Sequence, residues 1–252
     1  IIYLLFFSKK FGIIGLMIAS VIAILSQLLI QIPDMFSTGY KYKFKLDFKD
    51  KYIHKVLLLS LPVLIAVAIN DINAIIDRTL ASSLISGSIS ALNYANNIQS
   101  IILGVFVAAI VTVIFPLISK ASSVQDMKQV KKILKKGFDM ILLITVPATI
   151  GLIIFSTPVV EILFQRGEFD SLATRMTSGA LMFYSIGLVP MSLRLLLSRV
   201  YYAEKDTKTP LINAALSMII NVILSLILIR SMDHLGLALA TSIASTIATI
   251  ML

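Results

Sequence analysis

Phe164-Gln165-Arg166-Gly167-Glu168-Phe169 and Tyr201-Tyr202-Ala203-Glu204-Lys205-Asp206-Thr207-Lys208-Thr209-Pro210 decide how this chain folds. Each is a short polar island between long apolar runs, and each reads as a turn between membrane spans. Outward from these islands, runs of about 20 apolar residues recur, enough to cross a hydrocarbon core of roughly 30 Å at about 1.5 Å per residue. Hydrophobic residues make up 58% of the chain and charged residues 14%, well below the roughly 25% of a soluble domain. The fold class that follows is all-α, a polytopic transmembrane helical bundle. The alternating polarity over about 10 residues that a closed β-barrel needs is absent. With no cysteine in the chain, disulfides, thiolate chemistry and Cys-ligated metals are excluded. His54 and His234 fall in short loops and read as neither buried ligands nor bases.

Spans are expected near 12–33, 56–84, 88–118, 139–163, 172–202 and 210–229, with a seventh started at 236. Ser86-Gly87 reads as a tight turn, Asp170 as an N-cap, and Thr209-Pro210 as an N-cap followed by proline at the first helical position. Pro62, Pro147 and Pro190 lie inside spans and are expected to kink them. The chain opens without Met partway through an apolar run (Ile1 to Phe7) and stops inside another, so it reads as a piece of a longer protein. Gly15 to Ala23 resembles Gly236 to Ala244, which hints at internal duplication. Ala240, Ala244 and Ala248 form a small-residue stripe expected to meet other helices closely.

Lysines give the orientation. Lys41, Lys43, Lys45, Lys49, Lys51 and Lys55 lie between the first and second spans, and Lys120, Lys128, Lys131, Lys132, Lys135 and Lys136 between the third and fourth. Lys205 and Lys208 join them on the same side. By the positive-inside rule that side is cytoplasmic, and the net charge of +9 is topological. Nucleic-acid binding is the poorer reading, because the basic residues flank spans with no soluble domain around them. In Val124 to Phe138, apolar residues recur at helical spacing opposite lysines. This segment is expected to lie along the inner membrane surface, as a connector anchored by anionic lipid or as a lipid sensor.

A charged side chain near the bilayer centre costs about 2.5–3.5 kcal/mol on insertion scales, so such residues need an interior or wet environment. Asn70, Asp71, Asn73, Asp77 and Arg78 fall within one face of roughly 160° on the span 56–84. Asn93, Asn96, Asn97, Ser100 and Gly104 make a narrow stripe on the next span. Folding about Ser86-Gly87 brings Arg78 to the depth of Tyr94 to Asn96, and Asp77 near Asn96. A hydrated cavity between these walls is the expectation; helix–helix glue is the plainer reading for any single Asn. Arg194 lies deeper than Arg199 and is the better cavity candidate, while Arg199 reads as snorkelling to the surface. The Arg166-Gly167 turn reads as structural.

The two polar islands resemble the MurJ/MviN family of lipid II flippases, within the larger group of multidrug, oligosaccharide and polysaccharide exporters (the MOP superfamily). Asp77-Arg78-Thr79-Leu80-Ala81-Ser82, Asn93-Tyr94-Ala95-Asn96-Asn97, Leu103-Gly104-Val105-Phe106 and Phe115-Pro116 extend the resemblance over essentially the whole chain. It implies a two-lobe transporter. Residues 1–36 would end the first lobe, 37–55 would be a basic cytoplasmic linker, and 56–252 would form most of a six-helix second lobe. It implies a multi-pass protein of the bacterial cytoplasmic membrane that moves lipid II, the lipid-linked peptidoglycan precursor, to the outer leaflet by alternating access. Membrane lipids and a coupling ion, H⁺ or Na⁺, would be its other partners.

In the family, cavity arginines hold the pyrophosphate and sugar headgroup, and one of them sits in a Tyr-Tyr-Ala-Asp-Arg-like stretch. This chain has Asn96-Asn97 where that pattern has Asp-Arg, so the charge pair is lost there. Arg78, at nearly the same depth on the facing helix, is expected to supply the cation, since a guanidinium fork suits a pyrophosphate. Exporters of other polyprenyl-linked sugars or of drugs share the architecture. A polyprenyl-phosphate sugar transferase would need loop carboxylates or histidines arranged for metal or proton work, and no such motif appears.

Overall fold

The computed structural model describes residues 8–37, 39 and 51–252. Most of the expected linker at 37–55 lies outside them. The chain divides into two compact units, Ile1–Asp50 and Lys51–Leu252. In the first unit, helix α1 (Ser8–Ser37) is a single rod with Pro33 inside it. Ile14, Ile24 and Ile30 on it are exposed.

The second unit is an antiparallel bundle, and no strand occurs among the described residues. Helix α2 (Lys51–Ser82) turns at Ser83–Gly87 into α3 (Ser88–Ile101), which continues through a π-helical stretch (Ile102–Val107) into α4 (Ala108–Ser123). Helices α5 (Met127–Ile154) and α6 (Ser156–Phe164) return. Helices α7 (Ser171–Ile186) and α8 (Leu188–Ala203) form one span bent by 48°. Helix α9 (Lys208–Ile250) is interrupted at Asp233, whose φ of 49° and ψ of −135° separate the two spans expected there. The element order is that of a multi-pass helical membrane protein, and several of these helices are long and apolar enough to cross a bilayer.

The turns follow their sequence. Gly87 (φ 96°) and Gly167 (φ 60°) occupy the left-handed region that glycine enters without steric cost. Asp170 Oδ1 accepts from Ala173 N at 2.8 Å, and Asp126 Oδ1 from Gln129 N at 3.0 Å, capping α7 and α5. The cap of α9 departs from expectation. Asp206, not Thr209, receives the free amides: its Oδ1 accepts from Lys208 N and Thr209 N, each at 3.0 Å, and its Oδ2 from the Thr209 hydroxyl at 2.6 Å. A carboxylate outcompetes a hydroxyl for positive helix ends, and Pro210 sits harmlessly in a first turn whose N–H groups lack intrahelical partners anyway.

Two buried clusters hold the bundle. Leu92, Ala95, Ile98, Leu152, Val160, Leu181, Tyr184 and Leu237 pack near the Gly87 end. Val107, Ile110, Ile114, Ile118, Val130, Ile141 and Leu196 pack near the lysine-rich end. The segment Val124 to Phe138 is not a separate surface connector. From Met127 it forms the first turns of α5; Val130 is buried, and Ile133 and Leu134 pack on the cluster built from α4 and α8. Its apolar face meets protein because α4 and α8 reach the same level.

The bend of the α7–α8 span lies at Gly187 rather than at Pro190. A Cβ on Gly187 would sit 2.7 Å from Ser242 Oγ and 2.9 Å from Ser242 Cα, so the residue marks where α9 presses against the break. The carbonyls freed there find side chains. Ser242 Oγ donates to Phe183 O at 2.6 Å and accepts from Gly187 N at 3.1 Å, and Gln99 Nε2 donates to Tyr184 O at 2.7 Å. This is how a broken helix is tolerated at membrane depth. Ala240, Ala244 and Ala248 are buried at 0, 2 and 0% exposure, and Asn213 Nδ2 reaches Ala248 O at 2.7 Å across the small-residue stripe. His234 is not a loop residue. It is a buried helical side chain whose Nε2 lies 3.2 Å from Met176 O, because α9 resumes immediately after Asp233.

Candidate functional site

Helices α2, α3 and α9 bring their polar faces to one chamber. Asn70, Asn73, Asp77 and Arg78 from α2 meet Asn93 and Asn96 from α3, with Tyr184 and Thr241 closing a cavity of about 160 Å³. A larger cavity of about 580 Å³ shares Asn70, Asn73 and Thr241 with the first, and adds Arg194, Arg199, Tyr202, Ser217 and Asn221. The two cavities adjoin, with Asn70, Asn73 and Thr241 as their common wall. Asp71 and Asn97 are exposed and outside both linings.

Local geometry explains which groups are held. On α9, Asn213, Ser217, Asn221 and Ser225 recur every fourth residue and so share one face. That face binds Asp77 and Arg194. Asp77 Oδ1 lies 3.5 Å from Ser225 Oγ, which donates to it. The Asn221 amide, with its nitrogen toward α2, donates to Asp77 Oδ1 at 3.2 Å and Asn73 Oδ1 at 3.0 Å, while its oxygen accepts from Thr241 N and Oγ1. Among the described residues Asp77 is therefore satisfied by neutral donors rather than by Arg78, and the guanidinium stands exposed at the cavity wall.

Arg194 is half-buried. Its Nε donates to Asn213 Oδ1 at 2.9 Å and its Nη1 to Ser217 Oγ at 3.4 Å. These bonds orient the head but engage only part of a five-donor fork. Arg199 lies 5.9 Å from the centroid of the Phe115 ring, a cation–π distance. It also lines the larger cavity. The arrangement offers fixed cations and amides, suited to a phosphorylated, hydrogen-bonding group. No cluster of three or more His, Cys, Asp or Glu side chains able to hold a metal ion occurs among the described residues.

The profile of the family described as lipid II flippase MurJ matches the chain over residues 1–252. The chain belongs to that family. A probable lipid II flippase MurJ of Vibrio cholerae is 33% identical over 92% of the chain and 44% of its own length. One of Rickettsia prowazekii is 35% identical over 78% of the chain and 38% of its own length. A solved lipid II flippase MurJ in an inward closed conformation superposes with a TM-score of 0.77 at 32% identity, covering 98% of this chain and 51% of the other. A MATE transporter of Vibrio cholerae gives a TM-score of 0.78 at 16% identity over 97% of this chain and 55% of that one, a likeness of fold alone. The chain thus spans about half the length or less of the MurJ relatives named here, and it shares its fold with the solved MurJ and the MATE transporter.

Proposed function

We propose that this chain is part of a flippase that carries lipid-linked peptidoglycan precursor from the inner to the outer leaflet of the bacterial cytoplasmic membrane by alternating access. Residues 1–36 would end the first lobe, 37–55 form the cytoplasmic linker, and 56–252 build most of the second lobe, with the lysine-rich end inside the cell. The observation that carries the reading is a pair of adjoining cavities, one lined by Arg78 with Asn93 and Asn96, the other by Arg194, with Asn70 and Asn73 common to both. Arg78 in particular has a free guanidinium where a diphosphate can be gripped in two places. Asp71 and Asn97 border the site in this reading without lining it.

Arg78→Ala should abolish complementation of a flippase-depleted strain without lowering membrane abundance. One charge-assisted bond is worth roughly 1.5–3 kcal/mol, on the order of 10- to 100-fold in affinity. Arg78→Lys should rescue only in part, because a point charge replaces a fork. Adding Asn97→Arg to Arg78→Ala should restore some function from the facing helix. Full activity in stably expressed Arg78→Ala protein would end the proposal.

A coupling ion, H⁺ or Na⁺, belongs to the same reading, with Asp77 as its carrier. The oxygens of Asp77 and Asn73 converge on the Asn221 amide nitrogen, and a cation bound between them would draw α2 against α9. Asp77→Asn should then remove any dependence of transport on the ion gradient. A retained dependence would move the coupling site elsewhere.

A further inference from the structure

At the end of the bundle opposite the lysine-rich turns lies a cavity that the transport reading does not use. The turns Ser83–Gly87 and Gln165–Asp170, the start of α3 and the first turns of α7 enclose about 800 Å³, within the roughly 300–1,000 Å³ of small-molecule sites. One wall is a cluster of rings. Tyr94 lies 4.7 Å from Phe164 and 5.3 Å from Phe169, centroid to centroid, the second contact edge-to-face. Tyr94 remains 37% exposed within this chain. Arg166 and Glu168 stand on the rim.

A second, independent feature points to a ligand. Thr177 lines the cavity and is itself fully buried, yet its Oγ1 has no hydrogen-bond partner. A helical threonine ordinarily returns its hydroxyl to the carbonyl one turn back. Thr174, three residues earlier, does so, donating to Asp170 O at 2.9 Å. Thr177 leaves a polar atom unsatisfied in the wall of a cavity that also carries three rings, two serines, Arg166 and two carboxylates.

The charges narrow the chemistry. Asp170 is engaged in capping α7, where the helix end offsets its charge. What remains, Arg166 with Glu168, is one donor fork and one acceptor pair with no net charge. Neither a diphosphate nor a bare ammonium is favoured by such a pair. A neutral molecule with one apolar face and several hydroxyls is. A pyranose ring presents its axial C–H groups to an aromatic face, whose quadrupole is negative, and its hydroxyls to a carboxylate, a guanidinium and a threonine.

We infer that this cavity is a saccharide site taking one or two pyranose rings, separate from the two arginine-lined cavities. The inference stands on this cavity alone and survives or fails independently of the transport reading. The test uses the full-length protein in lipid nanodiscs, since alkyl-glycoside detergents would themselves compete. Saturation-transfer NMR with N,N′-diacetylchitobiose should show transfer to the ring C–H protons. Thr177→Val, which keeps the shape and removes the unpaired hydroxyl, and Glu168→Gln, in an exposed turn, should each weaken binding about tenfold. Phe169→Leu should reduce transfer to the C–H protons most. No transfer in the wild-type protein, equal transfer in Thr177→Val and Glu168→Gln, or displacement of the disaccharide by methylammonium would each overturn the assignment.

Discussion

Gly187→Ala sets two physical effects of opposite sign against each other. Gly187 has φ −80° and ψ −7°, a conformation alanine adopts freely. On backbone grounds alone the substitution should stabilise by about 0.4–1 kcal/mol through the unfolded chain. The surroundings say otherwise. The new Cβ would lie 2.7 Å from Ser242 Oγ and 2.9 Å from Ser242 Cα, and the second of these is backbone that cannot rotate away. Overpacking of this kind costs about 1–3 kcal/mol. Moving α9 back would also stretch the bonds from Ser242 Oγ to Phe183 O and from Gly187 N to Ser242 Oγ, each worth about 1 kcal/mol net. The balance is a loss of roughly 1–4 kcal/mol. Thermal unfolding of the full-length protein in lipid nanodiscs should register it. A Gly187→Ala protein as stable as wild type or more so would refute the claim that α9 is pressed against the bend.

Asp233→Gly should stabilise the protein by about 1 kcal/mol in the same assay, because it relieves a left-handed backbone whose cost is of order 1–3 kcal/mol; a loss of stability would mean the Asp233 side chain has a role of its own. Asp206→Ala should cost about 1 kcal/mol at neutral pH, the usual worth of an N-cap. Hydrogen bonds from Thr209 hold the Asp206 carboxyl below its ordinary value of 3.8, so the ionised cap favours the folded state. The wild-type advantage is present above that ordinary value and disappears as pH falls through the depressed one; an advantage that grows with acid would contradict the capping role. Cysteines at Lys132 and Lys205 should be shielded from an impermeant thiol reagent in intact cells while one at Glu168 reacts; labelling at position 132 from outside would invert the topology.

Much of the fold was legible in order along the chain, because hydropathy and turn chemistry are local. Runs of apolar length announced the spans, Gly87 and Gly167 the turns, Asp170 a cap, and lysine counts an expected sidedness. That the polar face of α2 and the amide stripe of α3 face each other was legible, since a tight turn fixes their relative depth, but that Asp71 and Asn97 stand outside both linings was not. What crosses between distant segments was not. Asn213, Ser217, Asn221 and Ser225 are spaced every fourth residue and could have been read as a polar stripe. That the stripe grips Asp77 and Arg194 depends on how α9 packs on α2 and α8. Likewise Pro190 was the visible candidate for the bend, but the bend falls at Gly187 because Ser242 and Gln99 arrive there to take the freed carbonyls. His234 looked like a loop residue until α9 resumed after Asp233, and nothing local marks Thr177 as the threonine whose hydroxyl goes unpaired. Local sequence determines where a chain can cross a membrane and turn; only packing decides which polar groups meet, because each must find its partner on another helix once water is gone.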